Sequence, residues 1–208
     1  MQDRLDKQPT ANFIANSEVS PLVELGHAEL EQHHLWLSLV EKGLISEEFY
    51  QSGAVDSFFV DKKTGAAALL HILIGDEYGG AHHLPTILAL EIPGREVASI
   101  IFDPENPNKS QSEFRKAQKA KLSGVFRAMH IEIADNDGTM LSKDKGSSMF
   151  PNEWNTQRVV ESLIHVSKMP GELDEVRGSV VHVAEVDGVK LRVITDSNTG
   201  KIITGFPC

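Results

Sequence analysis

Behind Pro21, the apolar residues Leu22, Leu25, Leu30, Leu35, Leu37, Leu39 and Val40 alternate with Glu and Gln at helical intervals, and the pattern stops at Gly43. This predicts a helix over residues 21–42. Ser46 ahead of the acidic pair Glu47 and Glu48, with Gly53 behind, predicts a second, short helix. Residues 1–17 are polar and aperiodic and read as a loose tail. From Ala54 the runs shorten and take on a β character, as in VDSFFV, and Lys-Thr-Gly reads as a turn ahead of the apolar segment AAALLHILIG. LPTILALEI is another apolar run, closed by Pro93-Gly94.

The second half is patterned more sharply. FDPENPNKS is a loop, and Ser110 with Glu113 forms a capping-box pattern for a short helix bearing Arg115, Lys116, Lys119 and Lys121. GVFRAMHIEIAD reads as a strand and DNDGTMLSKDKGSS as a polar loop. Val159, Val160, Leu163, Ile164 and Ser167 share one helical face, with an Asn cap before them and Pro170 past the end. VVHVAEV, Asp187-Gly188, VKLRVIT, the turn DSNTG and KIITGFP then predict a three-stranded antiparallel meander. Helices in front and strands behind give an α+β chain, with a helical segment over residues 1–60 and the main domain over residues 61–208.

With 208 residues, 40% of them hydrophobic, the chain can bury one sizeable core, so one principal domain is expected. No apolar run approaches the roughly 20 residues of a membrane span, and the opening MQDRLDKQPTANF lacks the layout of a signal peptide, so a soluble protein without a membrane partner is expected. The single cysteine, Cys208, excludes an intramolecular disulfide and a thiolate metal cage. A net charge of -10 argues against field-driven binding to nucleic acid and requires any phosphate groove to be local. The basic segment 115–121 is either a solvated helix face or such a groove.

The stretch HILIGDEYGGAHH, residues 71–83, concentrates the candidate chemistry. His71, His82, His83 and Asp76 could supply the three or four ligands of a metal-dependent hydrolase, although the spacing fits no HExxH or cysteine pattern. The glycines could equally make a turn of a non-enzymatic interaction domain. In a third reading two histidines act as base and acid, since their ordinary pKa near 6.5 allows either role near neutral pH. Cleavage of RNA is such a reaction: a base takes the ribose 2'-OH proton, the oxygen attacks phosphorus, and an acid protonates the departing 5'-oxygen.

His71 to Asp76 and Gly79 to His82, as H-x-x-x-G-D and G-G-x-H, resemble the two histidine motifs of EndoU endoribonucleases, a family that includes the coronavirus uridylate-specific nuclease and many bacterial toxin domains. KGSSMFPNEW, residues 145–154, is similar to the lysine-containing segment of bacterial members, and KIITGFP to the family's closing motif. The resemblance covers residue 66 to the end and implies an EndoU-like, RNase A-like fold. It implies a catalytic set of His71, His82, Lys145 and Thr204, with Lys143 as rival to Lys145, and base contacts from Ser147, Ser148 and Phe206. Phe206 stands where some relatives carry Tyr, and His83 becomes a neighbour. The implied activity is cleavage of single-stranded RNA, with tRNA as one candidate, at uridines, leaving 2',3'-cyclic phosphate and 5'-hydroxyl ends. RNA and not DNA is the implied substrate, and no cofactor is required, although manganese is compatible with the resemblance. A toxin acting in the cytoplasm, its own or that of a target cell, and an immunity protein as partner are also implied.

Overall fold

The computed structural model describes residues 27–61, 66–76, 79–90, 97–101, 125–134, 140–143 and 147–208. Helix α1 (His27–Glu41) buries Leu35, Trp36 and Leu39, which recur at the spacing of one helical face. Gly43 follows with φ +65°, the left-handed geometry that ends a helix without a Cβ penalty. Helix α2 (Glu47–Gln51) starts as expected: the Phe49 N–H donates to Ser46 Oγ at 3.1 Å. Its Phe49 and Tyr50 rings close over Trp36, with centroids 5.6 and 6.3 Å away.

The run VDSFFV departs from its β-like appearance, and the two apolar runs behind it prove helical. The first three residues of VDSFFV fall in a 3-10 turn (Ala54–Ser57), and only Val60–Asp61 at its end is a strand (β1), paired antiparallel with β2 (Ala66–Ala67). AAALLHILIG then becomes helix α3 (Ala68–Leu73), and LPTILALEI becomes α4 (Leu84–Ala89), with Pro85 in its first turn. Ala68, Leu69, Leu70, Ile72 and Leu73 are all buried, so α3 is apolar nearly all round and shows no polar face by which to recognise a helix. The 62–65 turn and the proposed helix over 110–121 lie outside the described residues.

Strand β3 (Val97–Ile101) pairs with β4 (Phe126–Ala134), the strand expected from GVFRAMHIEIAD. DNDGTMLSKDKGSS is not simply a loop, because β5 (Met140–Lys143) and β6 (Ser147–Met149) lie within its reach, and both pair with β4. The long β4 recruits these short polar segments through backbone hydrogen bonds, which leave no hydrophobic signature.

Helix α5 (Thr156–Ser167) begins at Asn155, whose side chain accepts the Arg158 N–H at 2.8 Å. Val159, Val160, Leu163 and Val166 bury its inner face. Beneath it lies a sheet of four strands, not three, in the order β10-β9-β8-β7: β7 (Gly171–Asp174), β8 (Ser179–Val186), β9 (Val189–Asp196) and β10 (Ile202–Pro207). Strand β7 escaped notice because GELD is exposed and shows no alternation. The Asp187-Gly188 turn has φ +48° and +79°, as a tight two-residue hairpin requires.

One apolar cluster runs through all of this: Trp36 and Leu39 of α1, Leu69 and Ile72 of α3, Met149 and Phe150, Val160 and Leu163 of α5, and Leu191, Val193 and Ile202 of the sheet. The front segment is also joined by hydrogen bonds. Phe59 N–H donates to Ile202 O at 2.8 Å, Ala68 N–H to Phe59 O at 3.0 Å, and Leu69 N–H to the buried Gln32 Oε1 of α1 at 3.4 Å. Among the described residues, no helix is long and apolar enough to cross a membrane.

Candidate active site

His71 sits in the last turn of α3, and the chain reverses immediately behind it. Gly75, Gly79 and Gly80 all have positive φ, and Asp76 and Gly79 exchange backbone hydrogen bonds of 2.9 and 3.0 Å. This reversal carries Asp76 back to His71, where its Oδ1 lies 2.9 Å from Nδ1. The returning chain then docks on α3: Ala81 N–H donates to His71 O at 2.9 Å and His82 N–H to Ile72 O at 2.8 Å. A Cβ on Gly80 would overlap the His71 carbonyl oxygen, so only glycine lets the two segments meet.

His82 is 7% exposed and held from three sides. Its Nδ1 lies 2.7 Å from Ser148 O of β6, and its carbonyl accepts Phe150 N–H at 2.8 Å. Its ring stacks on Phe206 of β10, with centroids 5.5 Å apart and an interplanar angle of 27°. Carbonyl and carboxylate oxygens accept hydrogen bonds, so Nδ1 is the donor in both histidines. Nε2 is then the atom that carries the lone pair of each neutral ring.

The buried Ser147 donates its hydroxyl to Gly80 O at 2.7 Å, fastening β6 to the histidine loop. Thr204 is half-buried on β10, two residues from Phe206 and therefore on the same face of the strand. Gly205 between them faces the opposite way, against Leu163 of α5 and Val193. Lys145 lies outside the described residues, and of Lys143 only the backbone is described, at the end of β5. The basic segment 115–121 also lies outside them.

His83 leaves this group. It is fully buried, with Nδ1 2.6 Å from Thr86 Oγ1 and Nε2 3.0 Å from Trp154 O. Because Trp154 O can only accept, Nε2 carries the proton, and Thr86, 2.8 Å from Thr156 Oγ1, donates to Nδ1. Burial pushes the His83 pKa down to about 4. The four-residue metal cage is therefore not assembled: His83 is turned into the core and the Nδ1 atoms of His71 and His82 are engaged. Among the described residues, no group of three or more His, Cys, Asp or Glu side chains could hold a metal ion. The Thr86–Thr156 chain was hidden in the sequence, because two threonines in separate apolar segments give no sign that they meet. Trp154 packs as a helix-entry residue, buried against Phe150, and the Arg158 guanidinium lies 4.7 Å over its ring.

A family model described as bacterial EndoU nuclease matches residues 66–208, more than half of the chain. No curated protein and no solved structure matches it.

Proposed function

Because the chain belongs to the bacterial EndoU nuclease family, we propose that it is an endoribonuclease in which His71 and His82 divide the base and acid roles. One neutral Nε2 takes the proton of the ribose 2'-OH, and that oxygen attacks the adjacent phosphorus in line. The bond from phosphorus to the 5'-oxygen then breaks as the other imidazole, protonated, donates to the leaving oxygen. The products are a 2',3'-cyclic phosphate and a 5'-hydroxyl.

The observation that carries this reading is the matched anchoring of the two rings. Each histidine gives its Nδ1 proton to an oxygen fixed by the fold, Asp76 Oδ1 for His71 and Ser148 O for His82. Such anchoring sets tautomer and orientation together. In this reading Lys145, or Lys143 in its stead, stabilises charge on the phosphorane oxygens. Thr204 holds the uracil or the phosphate, Ser147 and Ser148 shape the base side, and Phe206 flanks the base as it flanks His82.

The test is cleavage of mixed-sequence RNA by wild type, His71→Ala and His82→Ala, with a chelator present throughout. Wild type is expected to cut at uridines and leave cyclic-phosphate ends, and each variant to lose about 10²- to 10⁴-fold in rate. Undiminished cleavage by either variant overturns the assignment, and activity that returns only with manganese overturns the metal-free mechanism. As a toxin of this family it would act in a cytoplasm, on RNA such as tRNA, and be held in check by an immunity protein. Expression in bacteria should arrest growth with wild type and not with His82→Ala.

A further inference from the structure

The solvent face of the C-terminal sheet continues outward from the site. In the antiparallel register Phe206 lies directly opposite Arg192, and Thr204 opposite Ile194, so these four side chains share one face. Gly205 and its partner Val193 turn to the α5 face, which fixes this alternation independently. Arg192 is exposed, as is Lys190 two residues before it on the same face. Among the described residues neither side chain has an ion-pair or hydrogen-bond partner. One strand further on, opposite Arg192, Val183 is 43% exposed. Across the face from β10 to β8 the order is thus aromatic, cationic, apolar, in a chain whose net charge is -10.

We propose that Arg192, assisted by Lys190, forms an outer subsite for a phosphate of the RNA next to the linkage being cleaved. The subsite rests on the endoribonuclease reading and extends it. Neighbouring strands are about 5 Å apart, a gap that an arginine side chain spans. Its guanidinium therefore comes within one nucleotide of whatever lodges against His82 and Phe206. The planar fork suits a phosphate, and its face can also support an unstacked base. Beyond Arg192 the surface reverses sign, since the groove it lines with Val181 is bordered by Glu172, Asp174 and Glu175. That border repels phosphate and confines the strand to the β9–β10 side of the sheet.

The experiment compares Arg192→Ala, Arg192→Lys and wild type on two substrates containing the same cleavable step. One is a dinucleoside monophosphate, which has only the scissile phosphate; the other is an RNA of about ten nucleotides. Lys168→Ala, which removes an exposed charge at the end of α5, is the control for net charge. The ratio of kcat/KM on the long substrate to that on the short one is expected to fall about fivefold for Arg192→Ala, mainly through KM. It should be partly restored in Arg192→Lys and stay at the wild-type value in Lys168→Ala. The slope of log KM against log salt should fall by about 0.7, the contribution of one single-strand phosphate contact. An unchanged ratio and slope overturns the subsite, as does an equal loss on both substrates. If wild type cleaves neither substrate, the endoribonuclease reading itself fails, and the subsite with it.

Discussion

The Phe206 ring is stacked on His82, with centroids 5.5 Å apart, while the imidazole Nδ1 is bonded to Ser148 O. The hydrogen bond sets the direction of the ring and the stack sets its tilt. Together they leave one orientation for Nε2, although β6 and β10 come from distant parts of the chain.

Phe206→Ala removes the stack and keeps the hydrogen bond. A stack of this kind is worth roughly 0.5–1.5 kcal/mol, so kcat should fall about two- to tenfold with little change in melting temperature. Phe206→Tyr preserves the ring and should stay close to wild type. Steady-state kinetics on one RNA substrate checks both, and an Ala variant with wild-type kcat would show that the ring is idle.

Asp76→Asn replaces an acceptor-only carboxylate by an amide that can also turn a donor toward Nδ1. His71 then loses the oxygen that fixes its tautomer. The loss expected is about ten- to a hundredfold in kcat, a part of what acid–base catalysis supplies. Asp76→Ala should be no better. If the Asn variant matches wild type over the whole pH range, Asp76 only shapes the turn.

Gly80→Ala places a methyl group on the His71 carbonyl oxygen at φ +75°, where a side chain is strained whatever the space. The α3 end and the returning chain must separate. Destabilisation of about 3 kcal/mol or more is expected, with loss of the cooperative melt or of cleavage. Thermal denaturation alongside an activity assay measures it, and a variant that melts like wild type would show that the loop yields without cost.

His83 gives stability a pH dependence of known sign. Its pKa in the folded protein is about 4 against an ordinary 6.5, so the folded state holds the neutral ring. Above about pH 6.5 the ring is neutral whether folded or not and the contribution is fully present. Between about 6.5 and 4 the unfolded chain binds the proton and the folded chain does not, so stability declines on acidification, by about 3 kcal/mol across the window. Urea unfolding at stepped pH should show this decline, and His83→Gln should flatten it. An equally steep decline in the variant would assign it to other groups.

The sequence marks those features that are local. The caps at Ser46 and Asn155, the Asp187-Gly188 hairpin and the amphipathic α5 depend on neighbours within a few residues, and all are present. The motif around His71 and His82 showed the glycine turns for the same reason. Helices α3 and α4 read in the sequence only as apolar runs: in α3 burial of nearly every residue erases the period that distinguishes a helix from a strand, and α4 is six residues long, too short to show one. Strands β5, β6 and β7 carry no such mark, because they are short and are held by backbone hydrogen bonds that leave no hydrophobic alternation in the sequence. Only the family resemblance sets His82 apart from His83 in the sequence, because the contacts that distinguish the two rings, Ser148 O for one and Trp154 O with Thr86 for the other, include partners far along the chain.

The three-sided grip on His82 has a consequence for how activity is gained and lost. Ile72, Ser148 with Phe150, and Phe206 belong to separate segments, so no single hairpin or helix contains a working fragment of the site. Contacts of such long sequence separation form late, once loop closure is complete. In a denaturant titration, cleavage should disappear together with the global unfolding signal, without a partly active plateau. In refolding it should return only with the slowest structural phase, so that the active molecule is also the completely folded one.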